Sequence, residues 1–337
     1  MNINRNSHIT LAHGNGGRRM RELISEVFVR HLGNDSLDTA TDAVTLPFPH
    51  DELLFSSDGF TIDPLEFPGG DIGSLAVHGT VNDLAVAGAT PRYLSLNAFI
   101  EEGLAIVQLE RIVISMAKAA QVCGVKVVTG DTKVVRRGEG SGLYLATSGI
   151  GVKAATQRLA MSQIKTGDAI IISGPIGDHG TAVMLAREQF GLQGNLQSDA
   201  ASVLPLTTAL LAFDGLHFMR DPTRGGLATV MHEIHHATQL GVHLKQTDIP
   251  LRDEVASVCE ILGYDPLYLA CEGRVVAVID HTQADAALNT LQALPNGEDA
   301  AIIGTLTNTL PYVMLETPLG GQRIIEELED DPLPRIC

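Results

Sequence analysis

A-I-I-I-S-G-P-I-G-D-H-G, residues 169–180, decides the fold class. An unbroken apolar run, three of its four residues β-branched, enters a glycine loop and then a helix-like stretch. A short apolar run bounded by turn residues reads as a buried strand. Strand, glycine loop and helix in succession is the α/β pattern. Downstream, R-D-P-T-R-G-G-L-A-T-V-M-H-E-I (220–234) is a loop opening a helix, and V-V-A-V-I-D (275–280) and A-I-I-G-T-L (301–306) read as strands. A strand-like stretch and an acidic tail follow from about residue 311.

Upstream, the polar stretch K-A-A-T-Q-R (153–158) separates this unit from an earlier one of the same kind. That unit has strand-like runs at 52–59, 92–100, 125–133 and 143–152, and helix-like runs at 72–88 and 109–120. Before it, the glycine loop L-A-H-G-N-G-G (11–17) leads into a helical stretch from Arg18 to Leu32. The expected organisation is a glycine-loop segment and helix (1–40), an amino-terminal domain (41–152), a carboxyl-terminal α/β domain (153–310) and a strand with a mobile tail (311–337). A chain of 337 residues suits two such domains.

The totals narrow the function. Forty acidic against 23 basic residues give a net charge of −17, with no basic stripe, which argues against nucleic acid and anionic membrane surfaces as partners. No run approaches a membrane span and the start lacks the apolar core of a signal peptide. The four cysteines (123, 259, 271, 337) form no C-x-x-C pair, so a reducing cytoplasm is expected.

Three aspartates invite chemistry: Asp58 in S-S-D-G, Asp83 in V-N-D-L and Asp131 in T-G-D-T, with Lys133 two residues on. Converging carboxylates suit Mg²⁺ carried with nucleotide phosphates, although Asp-Gly and Gly-Asp pairs also simply make turns. The glycine loops at 14–17, 68–73, 173–180 and 223–226 each offer backbone N–H groups to a phosphate, but no Walker A pattern is present. H-E-I-H-H (232–236) matches the zinc motif H-E-x-x-H; the following Gly241 and His243 are out of register for an extended site. Glu272, after an apolar run and before Gly273, is either a presented carboxylate or a solvated turn residue. Cys337 stands last, after D-D-P-L-P-R-I. From residue 331 the segment spans about 23 Å when extended, a reach that suits a covalent carrier, although a terminal cysteine can also be accidental.

Together L-A-H-G-N-G-G, D-P-L-E-F-P-G-G-D-I-G (63–73), G-T-V-N-D-L-A-V-A-G (79–88), E-E-G-L (101–104), V-T-G-D-T-K-V-V (128–135), S-G-P-I-G-D-H-G, R-D-P-T-R-G-G, C-E-G-R (271–274) and P-R-I-C (334–337) resemble the HypE family of [NiFe]-hydrogenase maturation proteins. The N-D, G-D-T and D-x-T-x-G-G elements alone would indicate only the wider superfamily of aminoimidazole ribonucleotide synthetase, selenophosphate synthetase and thiamine-monophosphate kinase. The resemblance implies two α/β domains and a homodimer paired through amino-terminal sheets. It implies a carbamoyltransferase, HypF, that loads a carbamoyl group onto Cys337, ATP-dependent dehydration of that group to a thiocyanate, and transfer of cyanide to iron on a HypC–HypD complex. Asp58, Asp83 and Asp131 would hold Mg²⁺ and phosphates. Lys133 would meet phosphate or polarise the thiocarbamate oxygen, and Glu272 would be the base; Asp83, Lys133, Glu272 and Cys337 are thus the expected catalytic set. Gly16, Gly17, Gly70, Asp71, Asn82, Gly174, Asp221 and Gly225 are expected around the nucleotide. The family pattern is A-N-E-G where this chain has A-C-E-G, so Cys271 would place a thiol beside the site, open to a disulfide with Cys337. Other readings are an enzyme acting on a free small molecule, a non-catalytic carrier and a zinc protease.

Overall fold

Ala169–Ile172 is a strand with all four residues buried, as its unbroken apolar run requires. Ile170 and Ile172 pack into one core and Ala169 and Ile171 into another, so the strand separates two apolar layers. The structure, a computed structural model, describes residues 17–23, 25, 44–47, 51–187 and 195–329. Gly16 and Cys337 lie outside the described residues.

In chain order, α1 (Arg18–Leu23) precedes β1 (Val44–Pro47), β2 (Asp51–Phe60), a small ribbon of β3 (Glu66–Phe67) and β4 (Gly70–Asp71), helix α2 (Ile72–Val86), β5 (Thr90–Glu101), α3 (Ile106–Cys123), β6 (Lys126–Val135) and β7 (Leu143–Ala154). After β8 (Ala169–Ile172) come α4 (Asp178–Ala186), α5 (Leu204–Leu210), β9 (Leu216–Arg220), α6 (Gly226–Thr238), β10 (Gly241–Lys245), α7 (Asp253–Leu262), β11 (Val276–Ile279), α8 (Ala284–Gln292), β12 (Ala301–Thr307), β13 (Val313–Glu316) and β14 (Gln322–Ile324).

These strands make two main sheets. The first has the order β1-β2-β7-β5-β6, antiparallel except for the parallel β5–β6 pair. The second has the order β14-β13-β10-β12-β8-β11-β9, antiparallel except for the parallel β10–β13 pair. α2 lies on one face of the first sheet, the inner face. Alternation along β7 turns Leu143, Leu145, Thr147 and Gly149 toward it. Gly149 permits that close approach, because a Cβ there would fall 2.8 Å from the Thr80 methyl.

All of α2 is buried except Ser74 and Asp83. A helix apolar on every side needs cover on every side. One side packs on the first sheet, while Ala85 and Val86 enter a core with Leu206, Leu210 and Met219 of the second unit. Asp71 caps its amino terminus, with Oδ1 accepting the N–H groups of Gly73 and Ser74 at 2.7 and 2.9 Å. No helix of the described residues is long and apolar enough to cross a membrane.

Candidate functional site

Two turns of α2, a strand end and two loops of the second unit meet at one place. Ser56 and Asp58 lie two apart on β2 and so share its inner face. The Ser56 hydroxyl donates to Asp83 of α2 at 2.6 Å. Arg224, from the loop before α6, lies 3.3 Å from Asp58. That loop is tied to the next one by the Cys271 N–H, which donates to Pro222 O at 3.0 Å. Gly225 ends it at φ +70°, a conformation that favours glycine, and a Cβ there would also strike the Thr229 hydroxyl.

Glu272 sits in this meeting place and is buried. Its backbone is fixed from both ends. Asn82 donates through Nδ2 to Glu272 O at 3.1 Å and to Ala201 O at 2.9 Å, and its Oδ1 accepts from Val203 N. Asp199 accepts the N–H groups of Glu272 and Gly273 at 3.2 and 3.3 Å, with Arg274 3.4 Å from its carboxylate. Burial pushes the Glu272 carboxyl well above the usual range, and Asp221, Asp199 and Asp58 push it further; Arg224 opposes them. Asp199 is raised too, chiefly by burial. A carboxyl so placed is a better base near neutral pH than an ordinary one.

Asp131 and Lys133 do not join this group. Asp131 pairs in register with Asn97 of β5, which opposes Ala146 of β7, which opposes Gly59 of β2. That row points away from α2, so Asp131 and Lys133 project from the outer face while Asp58 occupies the inner one. Three strand spacings, about 14 Å, also separate β6 from β2. Asp131 lies midway along β6 rather than at its end, and is 3.0 Å from the exposed Lys133. Around them the outer face carries exposed Phe55, Tyr93 and Phe99.

Other expected residues have structural partners. Asn82 uses its amide on the main chain described above, and Asp71 is the cap of α2. Gly174 is covered: a Cβ there would fall 2.6 Å from the Arg274 guanidinium, which donates to Pro175 O, so this loop is packed rather than open to a phosphate. Gly70 lines a cavity of about 540 Å³ with Ser74, His78, Lys118 and Ala200 at the seam between the two units. Gly17 is buried and starts α1, its carbonyl accepting from Arg21 N. Asp221 is buried near Glu272. Cys271 is fully buried with its sulfur 3.2 Å from Gly177 N–H, and burial raises its pKa well above the ordinary thiol value. It is thus closed to the exchange expected of a thiol beside the site.

H-E-I-H-H lies on α6, but its side chains have other partners. His232 donates to Ile325 O at 3.0 Å, His235 meets Leu240 O, His236 meets the Glu327 carboxylate and Glu233 pairs with Arg220 at 2.9 Å. Among the described residues no three His, Cys, Asp or Glu side chains are grouped to hold a metal ion by themselves. Asp199 carries no sequence signal at all, standing in a plain Q-S-D-A-A. Arg224 and Arg274 stand inside quoted motifs whose glycines and glutamate carry the signal.

Two sheet units share a buried helix, with carboxylates at the seam, and the chain that builds them matches the AIR synthase related proteins. The amino-terminal domain of that family matches residues 40–153 and the carboxyl-terminal domain residues 165–314. The similarity narrows further. The chain is 44% identical over 335 residues to the carbamoyl dehydratase HypE of Azotobacter vinelandii, covering 99% of this chain and 98% of that one. The crystal structure of a HypE–HypF complex superposes with a TM-score of 0.86 at 41% identity, covering 91% of this chain and 99% of that one. A HypE crystallised in complex with ATP superposes with a TM-score of 0.81 at 43% identity, covering 98% and 100%. The chain belongs to the HypE family.

Proposed function

We propose that the chain is an ATP-dependent carbamoyl dehydratase acting on its own Cys337. The cysteine carries S–C(=O)–NH₂. Transfer of the γ-phosphoryl group of ATP to the carbonyl oxygen makes that oxygen a good leaving group. Loss of the two nitrogen protons and departure of phosphate then leave S–C≡N, with ADP and phosphate as the other products. The protein supplies position, charge neutralisation and a base. Glu272 carries the reading: a buried carboxyl with a raised pKa, held rigidly by Asn82 and Asp199, is suited to take an N–H proton.

Mg²⁺ fits Asp58 and Asp83, hard oxygen donors on one face beside a surplus of negative charge. This ion usually takes one or two carboxylates and completes its shell with phosphate and water. When bound it would neutralise phosphate charge. Asp221, the Arg224–Gly225 loop, Gly70 and the Gly16–Gly17 segment would surround the nucleotide. Asn82 and Asp71 would contribute through the backbone they hold, and Gly174 would let Arg274 pack over its loop.

The reading also takes in the partners: HypF as the carbamoyl donor enzyme, a HypC–HypD complex as cyanide acceptor, and a second copy of the chain. The aromatic outer face with Phe55, Tyr93 and Phe99 supports pairing of two sheets. Asp131 and Lys133 lie on that face, so a second copy would have to bring them to a site. A cytoplasmic setting follows from the chemistry, since a carrier thiol must stay reduced.

Intact-mass measurement after loading by a carbamoylating partner tests the reading. The expected result is a carbamoyl adduct on Cys337 that loses one water on addition of Mg-ATP. An adduct that persists unchanged would demote the chain to a carrier.

A further inference from the structure

The last described residues, 325–329, are gripped one by one. Ile325 is fully buried, its N–H donates to Val313 O and its carbonyl accepts from His232. Glu326 O accepts from the Tyr268 hydroxyl at 2.6 Å. The Glu327 carboxylate meets both Arg21 of α1 and His236 of α6. Leu328 O accepts the Arg18 N–H at 2.9 Å, and the Glu329 carboxylate lies 3.3 Å from the Arg18 guanidinium. Each of these five successive residues has a polar partner, so the stretch is held along its whole length. Burial holds His232 at about 4, so its neutral ring donates through Nε2–H to Ile325 O, and burial also lowers His236.

The grip is placed beside the site. A Cβ on Gly225 would lie 3.5 Å from the Leu328 side chain, and the neighbouring Arg224 is the residue that meets Asp58. From Glu329 the eight residues 330–337 extend to about 26 Å, at 3.3 Å per residue.

We infer that α1 and the histidine face of α6 form a clamp on residues 325–329 that fixes where the Cys337 segment starts, making Arg21, His236 and Tyr268 positioning residues for the dehydration of the loaded cysteine. The inference rests on the reading that Cys337 carries the reacting group. It also accounts for the H-E-I-H-H motif, whose His232 and His236 hold residues 325 and 327. Release of the clamp lengthens the tether between the last held residue and Cys337 from the eight residues 330–337 to the twelve of 326–337. Local concentration falls roughly with the −3/2 power of length, so this alone lowers the rate about twofold, and loss of direction adds to it.

The test separates reach from folding. The double variant Arg21→Ala/His236→Ala and the milder Tyr268→Phe are loaded with a carbamoyl group on Cys337, and water loss is followed in a single turnover with Mg-ATP. In parallel the same variants, each also carrying Cys337→Ala, act on an added S-carbamoyl peptide D-D-P-L-P-R-I-C. The expected result is a two- to tenfold slower reaction of the attached cysteine and an unchanged rate on the free peptide, with Arg21→Lys restoring part of the loss. If both rates fall together, the contacts only support the fold and the inference fails. If neither falls, it fails as well. A wild-type chain that loads normally and never loses water overturns the dehydratase reading itself, and the inference with it.

Discussion

The two faces of the five-stranded sheet carry the same kinds of residue to opposite ends. On the inner face Asp58 lies beside Asp83 of α2 and the Glu272 loop, where burial and crowding raise the Glu272 carboxyl. On the outer face Asp131 is exposed and paired with Lys133 in open solvent. Depth rather than residue type separates a base from a surface ion pair. The buried face can do proton chemistry in one chain; the open face needs a second body over it.

The largest expected effect is Glu272→Gln, which removes the base and keeps the shape. Turnover of the carbamoylated chain should fall by about 10²–10⁴, the usual contribution of general base catalysis, while ATP binding by calorimetry stays within a few-fold. A rate near wild type would break the contrast at its root. Next in size is the pairing of the faces. Lys133→Ala and Glu272→Gln chains, each inactive alone, are mixed and allowed to exchange. If a second copy brings Lys133 to the site, random twofold dimers regain about a quarter of wild-type activity, because half are mixed and each mixed dimer has one intact site. Activity that stays at zero puts both residues in one chain's site and contradicts the separation seen across the sheet.

A third prediction concerns pH. The wild-type rate should climb as pH rises through the raised Glu272 pKa, since only the carboxylate accepts a proton, and this limb should be absent in Glu272→Gln. Stability should run the other way. A carboxyl whose folded pKa is raised binds protons more tightly when folded, so its stability is greatest below the ordinary carboxyl pKa and declines as pH rises through the raised one. Glu272→Gln should therefore melt a few degrees higher above neutral pH and converge with wild type in acid, as read by calorimetry. The smallest effect is chemical. Cys123, Cys259 and Cys271 are buried and should stay unalkylated in the native protein, appearing by peptide mass mapping only after unfolding.

Much of this is legible in the sequence where a pattern is local. A-I-I-I (169–172) reads as a buried strand because nothing in it is polar, and the helix-like run at 72–88 appears as α2 at 72–86. The place of Glu272 between an apolar run and a glycine leaves a solvated turn open as well, and only the fold shows the side chain buried. Asp131 shows where local reading ends. Its strand is evident, but the face it points to depends on a register passed through β5 and β7, and that passes through register shifts in the β5 pairings with both neighbours. Gly174 looks like a phosphate loop because the guanidinium that covers it lies a hundred residues away in Arg274. Asp199 is invisible, since it holds two N–H groups that come together only in the folded chain.

The helix α2, buried on every side, has a consequence for synthesis. It leaves the ribosome long before Leu206, Leu210 and Met219, which cover its second side. Until those residues emerge, the nascent chain displays an apolar flank with nothing of its own to cover it. The first sheet can form during translation, but the finished seam must wait for the second half of the message.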